Sequence, residues 1–246
     1  MQTQQINIKN RSVGELVSED YRRADILKSF GIDFCCGGKK TLQQACTEKE
    51  VNLDGVVAEL SDLATQPNGG RQDPRKWDLD FLCDYIVNTH HHYVEQAIPQ
   101  IQGYTEKVAG VHGPDHPNLV EIANHFGAVA GEMAMHMKKE ELILFPHIKQ
   151  MAIAKKSGAR PQRPPFGTIQ NPINAMEVEH DSAGSLLAAI RKLSDDFSLP
   201  EWACTTYRVS FEKLKEFEED LHRHVHLENN ILFPAAIAME DELFGE

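Results

Sequence analysis

Hydrophobic residues recur at intervals of three and four along most of the chain, which is typical of helices that bury one face. Four long stretches with this pattern predict helices over residues 78–108, 117–156, 174–197 and 200–238. Glycine- and proline-rich segments separate them, and strand-like alternation of apolar and polar residues is absent from the sequence. The pattern therefore predicts an all-α fold, with these four helices forming an up-down bundle.

A smaller helical region is predicted before the bundle. Apolar spacing favours short helices from Ser12 to about Leu63, with a loop, IDFCCGGKK, between Gly31 and Thr41. The run QPNGGRQDP that follows has no periodicity and is rich in glycine and proline. The sequence therefore predicts a small helical N-terminal domain over residues 1–65, a linker over 66–76 and the bundle domain over 77–246.

Composition excludes several classes of protein. The 246 residues include 25 Lys and Arg against 37 Asp and Glu, and this formal charge of −12 disfavours general binding to nucleic acid. The sequence contains no apolar run long enough for a membrane span and no secretory leader, so it predicts a cytoplasmic protein without a membrane partner. Five cysteines form a sparse, odd set, for which reduced thiols are expected.

Histidine gives the strongest compositional signal, because all 12 histidines lie between residues 90 and 226. Each predicted bundle helix carries at least one histidine on its apolar stripe, and the second and fourth also carry a glutamate there. In the second helix the predicted stripe continues past Glu140 to Ile143. The six polar stripe residues are His90, His136, Glu140, His180, His224 and Glu228. The neighbouring His91 and His92 leave open which histidine of the first helix lies on its stripe.

A short internal repeat contains four of these residues. The second helix reads HMKKEELILFP from His136, and the fourth reads HVHLENNILFP from His224. The His-x-x-x-Glu spacing places a nitrogen and an oxygen donor one turn apart on the same helix face. The repeat therefore predicts two equivalent halves of one site.

Burial of six such groups is costly unless a cation lies among them. Four imidazoles and two carboxylates suit borderline metals such as iron, manganese or zinc. With both glutamates and one oxo or hydroxo group bridging two ions, the donors fill about ten of twelve octahedral positions. We therefore predict two iron ions, with a mixed or manganese site as the alternative. Glu141 and Glu179 flank the predicted ligands and are either hydrogen-bond acceptors for them or solvated charges.

The adjacent thiols of Cys35 and Cys36 allow two interpretations. Gly37, Gly38, Lys39 and Lys40 follow them, so the site is uncrowded and its lysines favour a lowered thiol pKa. A redox or metal-relay function is then expected. A tight structural turn is the alternative.

The repeat and the segment EHDSAG at Glu179 resemble hemerythrin-type bundles, and DFCCGGKKTL at Asp33 narrows the resemblance to the repair of iron centres family, also called the ScdA type. The resemblance covers nearly the whole chain. It implies a cytoplasmic, often homodimeric di-iron protein that repairs iron–sulfur clusters damaged by nitrosative or oxidative stress, by supplying iron to damaged iron–sulfur proteins. It also implies the same six ligands, with Glu140 and Glu228 bridging.

Two other functions stay open at this stage. The first alternative is a binder of nitric oxide or oxygen, acting as a scavenger, sensor or weak reductase while its iron is retained. The second is a purely structural metal bundle. A conventional turnover enzyme is not expected, while redox or nitric-oxide chemistry at the di-iron centre stays open. The sequence shows no serine or cysteine nucleophile with an oriented base that would indicate hydrolysis.

Overall fold

The computed structural model describes residues 8–66, 73–159 and 161–245. Regular structure in these ranges is helical, and the single extended pairing found there is an isolated bridge between Ser12 and Thr41. The prediction of an all-α fold is confirmed. Most of the predicted linker, residues 67–72, lies outside the described ranges. No helix in the described part of the chain has the length and apolar character needed to cross a bilayer.

Internal contacts divide the chain into two units. One unit contains the residues up to 82 together with those from 225 onward, and the other contains residues 83–224. The residues from 225 onward, which the sequence pattern assigned to the bundle, thus belong to the same unit as the N-terminal helices.

The N-terminal helices are short and begin at side-chain caps. They are α1 (Val13–Glu19), α2 (Arg23–Ser29), α3 (Leu42–Glu48) and α4 (Leu53–Ala64). Ser12 and Thr41 each form a capping box, with Glu15 and Gln44 respectively, which satisfies free N–H groups at the starts of α1 and α3. The second predicted helical stretch is broken between α3 and α4, where Glu50 has a left-handed φ of 54°.

The remaining helices supply the bundle and the C-terminal segment. They are α5 (Leu79–Ile86), α6 (His92–His112), α7 (Pro117–Lys139), α8 (Phe145–Ser157), α9 (Gln170–Leu193), α10 (Thr205–Leu227) and α11 (Phe233–Phe244). Three five-residue π-helical turns continue the backbone from α5 to α6, from α7 to α8 and from α10 to α11. Helix α7 packs against both α6 and α9.

The third and fourth predicted helices differ at their ends from those observed. Helix α9 ends four residues before the predicted Phe197, because Asp195, Asp196 and Phe197 all adopt left-handed φ angles of 49–59°. Helix α10 begins at Thr205 rather than at residue 200. The hydroxyl of Ser194 accepts a hydrogen bond from the backbone N–H of Phe197, which helps to hold this turn.

The core of the bundle follows the predicted stripes except beside the π turns. On α7 the apolar stripe residues are almost fully buried, as are those of α9. Ile143, however, is 50% exposed, whereas its neighbour Leu144 is buried. Both lie in the π turn Glu140–Leu144, where the wider turn accommodates one extra residue and moves the buried face one position along the chain.

Candidate metal centre

The π turns lie at the residues that the sequence pattern selected for metal binding. Glu140 and Glu228 are the first residues of two of these turns, and His91 is the last residue of the third, Val87–His91. A π turn adds a residue to one helical turn and alters which side chains point inward. The local backbone therefore decides which donors reach the interior of the bundle.

The first donor group joins α7 to α9. His136, Glu140 and His180 offer ligand atoms that all lie within 4.8 Å of one another. The Nε2 atoms of His136 and His180 are 3.0 Å apart, and His136 Nε2 is 3.3 Å from Oε2 of Glu140. All three side chains are buried, with Glu140 at 0% exposure.

The second donor group contains His91, Glu140 and His224, again within 4.8 Å of one another. His91 Nε2 lies 3.3 Å from Oε2 of Glu140, the same oxygen that His136 approaches. Glu140 therefore belongs to both groups.

Histidine 91 occupies the place for which the sequence pattern selected His90. A regular spacing of four residues from Ile86 leads to His90, but the π turn Val87–His91 lengthens the spacing to five residues, which leads to His91. Nδ1 of His90 instead lies 2.9 Å from Oδ1 of Asp220, and its ring stacks on that of His224 at a centroid distance of 5.6 Å. The run of three histidines was the only sequence signal of this ambiguity.

Carboxylates hold the outer nitrogens of two donor histidines. Oε1 of Glu141 lies 2.7 Å from Nδ1 of His91, and Oε2 of Glu179 lies 2.9 Å from Nδ1 of His136. A carboxylate at Nδ1 accepts that N–H and leaves the Nε2 lone pair directed at the centre. Of the two interpretations of Glu141 and Glu179, the structure thus supports hydrogen-bond acceptors.

The carboxylate of Glu179, which lies at Nδ1 of His136, is stabilised in its anionic form. Burial opposes its ionisation, but hydrogen bonds from Lys139 and His136 outweigh this effect and lower its pKa. The anionic form therefore persists through the neutral pH range, and it strengthens the hydrogen bond that orients His136.

Glu228 is positioned by the helix that carries His224. It follows His224 by one turn, at the junction between α10 and the π turn Glu228–Leu232, and its side chain is fully buried. The repeat thus places the two glutamates alike, since each begins a π turn four residues after a buried histidine.

The geometry within the bundle fits a cation of octahedral preference. Neighbouring ligands of such an ion lie about 3.0 Å apart when each bond is about 2.1 Å long. The separations of 3.0 Å and 3.3 Å among the Nε2 atoms and Glu140 Oε2 match this value. A mixed imidazole and carboxylate set suits iron, manganese or zinc.

The cysteine loop is organised by one carboxylate. Oδ1 of Asp33 accepts the backbone N–H groups of Cys35 and Cys36, at 2.9 and 3.1 Å, and Oδ2 accepts that of Gly37. The Cys35 thiol donates to Oδ1 at 3.1 Å and lies 3.9 Å from the sulfur of Cys36.

The environment of Cys35 reverses the expectation of a lowered thiol pKa. The hydrogen bond with Cys36, burial, and the negative charges of Cys36 and Asp33 hold the pKa of Cys35 well above its usual range. Lys40 forms an ion pair with Glu48 at 2.5 Å. The protonated thiol is therefore the resting form of Cys35 at neutral pH.

Two family models match the chain. Residues 9–64 match ScdA_N, described as a domain of unknown function, and residues 84–236 match the hemerythrin HHE cation-binding domain. The bundle is thus a cation-binding domain of the hemerythrin type, and iron is the metal that this type implies.

Similarity to curated proteins extends over nearly the full length. A protein named iron–sulfur cluster repair protein YtfE from Yersinia pseudotuberculosis serotype O:1b (strain IP 31758) is 35% identical over 236 residues, which cover 96% of this chain and all of the relative. The protein of the same name from Pectobacterium carotovorum subsp. carotovorum (strain PC1) is 36% identical over 232 residues, covering 94% of this chain and 99% of the relative. The chain therefore belongs to the repair of iron centres, or ScdA-type, family of iron–sulfur cluster repair proteins.

Proposed function

We propose that the bundle holds two iron ions and that the protein supplies iron for the repair of iron–sulfur clusters damaged by nitrosative or oxidative stress. The observation that carries this proposal is the membership of Glu140 in both buried donor groups. A single ion cannot use two such groups efficiently, whereas a carboxylate with two oxygens bridges two ions naturally. The shared name of the two relatives supports the repair function.

The proposed ligands are distributed over the four bundle helices. His136 and His180 would hold one ion, and His91 and His224 would hold the other, because Glu140 belongs to both groups of side chains. Glu228, one turn beyond His224, is proposed as the second bridging carboxylate. This choice rests on the repeat and on the continuous helix that carries both residues.

The chain's own groups prepare the centre for cations. Glu141 and Glu179 keep the protons of His91 and His136 on Nδ1, so that both Nε2 atoms offer lone pairs. Nearly complete burial strengthens attraction between the carboxylates and a bound cation. Bound iron supplies Lewis-acid and one-electron redox chemistry.

Incomplete coordination favours release of iron over permanent storage. Four imidazoles and two bridging carboxylates supply at most about eight of the twelve positions of two octahedral ions. The remaining positions are open to small ligands, which is what ligand exchange during transfer requires. The candidate clients are apo forms of iron–sulfur proteins. A homodimer stays a prediction.

Transfer of labelled iron tests this function. The iron-loaded full-length protein is mixed anaerobically with an apo-ferredoxin and inorganic sulfide, and cluster absorption and labelled iron in the ferredoxin are followed. We expect iron to move within minutes. A Glu95→Gln variant, altered at an exposed site on α6, is the matched control and should transfer iron at the same rate.

Retention of iron is the competing outcome. If the protein keeps its labelled iron in the presence of the acceptor while binding nitric oxide in fixed stoichiometry, the donor function is wrong and the gas-binding alternative is favoured. Inertness in both assays would leave only a structural metal.

A further inference from the structure

The loop between α2 and α3 contains a second set of metal-binding side chains, separate from those of the bundle. Asp33, Cys35 and Cys36 offer a carboxylate oxygen and two sulfurs that lie within 4.8 Å of one another. We propose that this loop is a second cation site, which takes a borderline divalent ion such as Fe²⁺, Co²⁺ or Zn²⁺ through two thiolates and one carboxylate.

The separations between the donor atoms suit tetrahedral coordination. With metal–sulfur bonds of about 2.3 Å and a metal–oxygen bond of about 2.1 Å, tetrahedral ligands lie about 3.6–3.8 Å apart. The two sulfurs are 3.9 Å apart, and the Cys35 sulfur is 3.1 Å from Asp33 Oδ1. Small side-chain rotations are sufficient to bring all three donors around one ion.

The backbone holds the loop in this form. Three N–H groups converge on the Asp33 carboxylate, and the side-chain amide of Asn230 donates to the carbonyl oxygens of Phe34 and Cys35, at 3.2 and 3.3 Å. The amide of Asn229 also reaches the carbonyl of Cys35, at 3.5 Å. A prearranged loop loses little conformational freedom on binding a ligand.

Two glycines make this arrangement possible. A Cβ atom on Gly14 would lie 2.0 Å from Oδ1 of Asn230, and one on Gly38 would lie 2.2 Å from the same atom. The carboxamide of Asn230 therefore fits between the backbone at Gly14 and the backbone at Gly38, where no side chain occupies the space. In the internal repeat, Asn229 and Asn230 stand where the other copy has Glu141 and Leu142. The two copies therefore differ at the residues that bind the cysteine loop.

Exposure and charge favour entry of a cation. Cys35 is buried, Cys36 is half-buried and Asp33 is exposed, so one side of the group is open to solvent. The carboxylate of Asp33 supplies a negative charge that attracts a positive ion. Binding replaces the two thiol protons with one divalent cation and releases both protons to solvent. Soft sulfur donors distinguish this site from the imidazole and carboxylate centre of the bundle.

Cobalt binding tests the proposal on the full-length, iron-loaded and fully reduced protein under anaerobic conditions. Co²⁺ bound to thiolate gives a charge-transfer absorption that imidazole and carboxylate ligands do not give. We expect one thiolate-bound cobalt per chain. Cys36→Ser should abolish the absorption and Asp33→Asn should weaken binding at least about 10-fold. Cys204→Ser, which removes an exposed thiol elsewhere, should change nothing.

Two results would contradict the proposed cation site. Absence of thiolate absorption at excess cobalt, or equal absorption in the Cys36→Ser protein, would show that the loop is not a cation site. Circular dichroism verifies that each variant is folded, and Asp33→Asn supplies a second route because Asp33 is exposed. Iron content of the bundle is measured in the same samples, so failure of the loop site and failure of the proposed bundle site are distinguished.

Discussion

Replacement of His91 by Ala is expected to weaken iron binding much more than replacement of His90 by Ala. Both imidazoles are 1% exposed, so the two variants remove side chains of equal size from equally buried positions. The two imidazoles have different partners, because His91 Nε2 lies 3.3 Å from Glu140 whereas His90 is paired with Asp220. The pair therefore separates ligation from packing.

The size of the effect follows from the number of ligands. A four-ligand zinc site contributes about 10–16 kcal/mol of binding free energy, so one nitrogen donor accounts for roughly 3 kcal/mol. That is about a 100-fold loss of affinity for His91→Ala. His90 contacts His224 through its ring face alone, and its removal is expected to change affinity by less than about 10-fold.

Chelator competition measures this difference. Each iron-loaded variant is titrated with a chelator of known affinity, and retained iron per chain is plotted against chelator concentration. Thermal unfolding without iron should show similar destabilisation in both variants, because each creates a similar cavity. Loss of iron in His90→Ala with retention in His91→Ala would refute the assignment.

Three further outcomes are expected. Glu179→Gln should weaken iron binding about 10-fold in the same chelator assay, because the acceptor for His136 loses its charge. Gly38→Ala should lower the free energy of unfolding by about 1–3 kcal/mol in a denaturant titration, and Asn230→Ala in the same chain should restore part of it, since the new Cβ meets that side chain. Burial and neighbouring acidic groups raise the pKa of Tyr93 to about 12, so its contribution to stability is complete below pH 10, where the unfolded phenol is neutral. This contribution is lost as the pH rises toward 12, and Tyr93→Phe should flatten that part of the stability profile.

Helical periodicity was sufficient for the fold, whereas the metal ligands that it selected stay a prediction. Stripe spacing selected His136, Glu140, His180 and His224, and the structure brings all four into the two donor groups. His136, His180 and His224 lie on regular helices and Glu140 directly follows one, so intervals of three and four describe their buried face correctly.

The π turns explain where periodicity failed. An extra residue within a turn changes the face that later residues present, and around Val87–His91 only the run of three histidines indicates that the register is ambiguous. The pattern therefore assigned His90 rather than His91 to the interior stripe. It also predicted that Ile143 rather than Leu144 is buried.

Long-range contacts were beyond the reach of local patterns. Asn230 lies 196 residues from Phe34 in the sequence. Only the folded chain shows that its side chain lies between two glycines and that its amide donates to the cysteine loop. The predicted effect of Lys39 and Lys40 on the thiols was likewise based on sequence proximity. In the structure the hydrogen bond with Cys36, burial and the neighbouring Asp33 raise the pKa of Cys35 instead.

The number of iron ions bound per chain tests the central claim most directly. Metal-free protein is titrated with Fe²⁺ under anaerobic conditions while bound iron is counted by equilibrium dialysis, with Cys36→Ser used so that only the bundle contributes. The account predicts two ions per chain, and simultaneous loss of both in Glu140→Ala. Saturation at a single ion, or retention of two ions without Glu140, would contradict it.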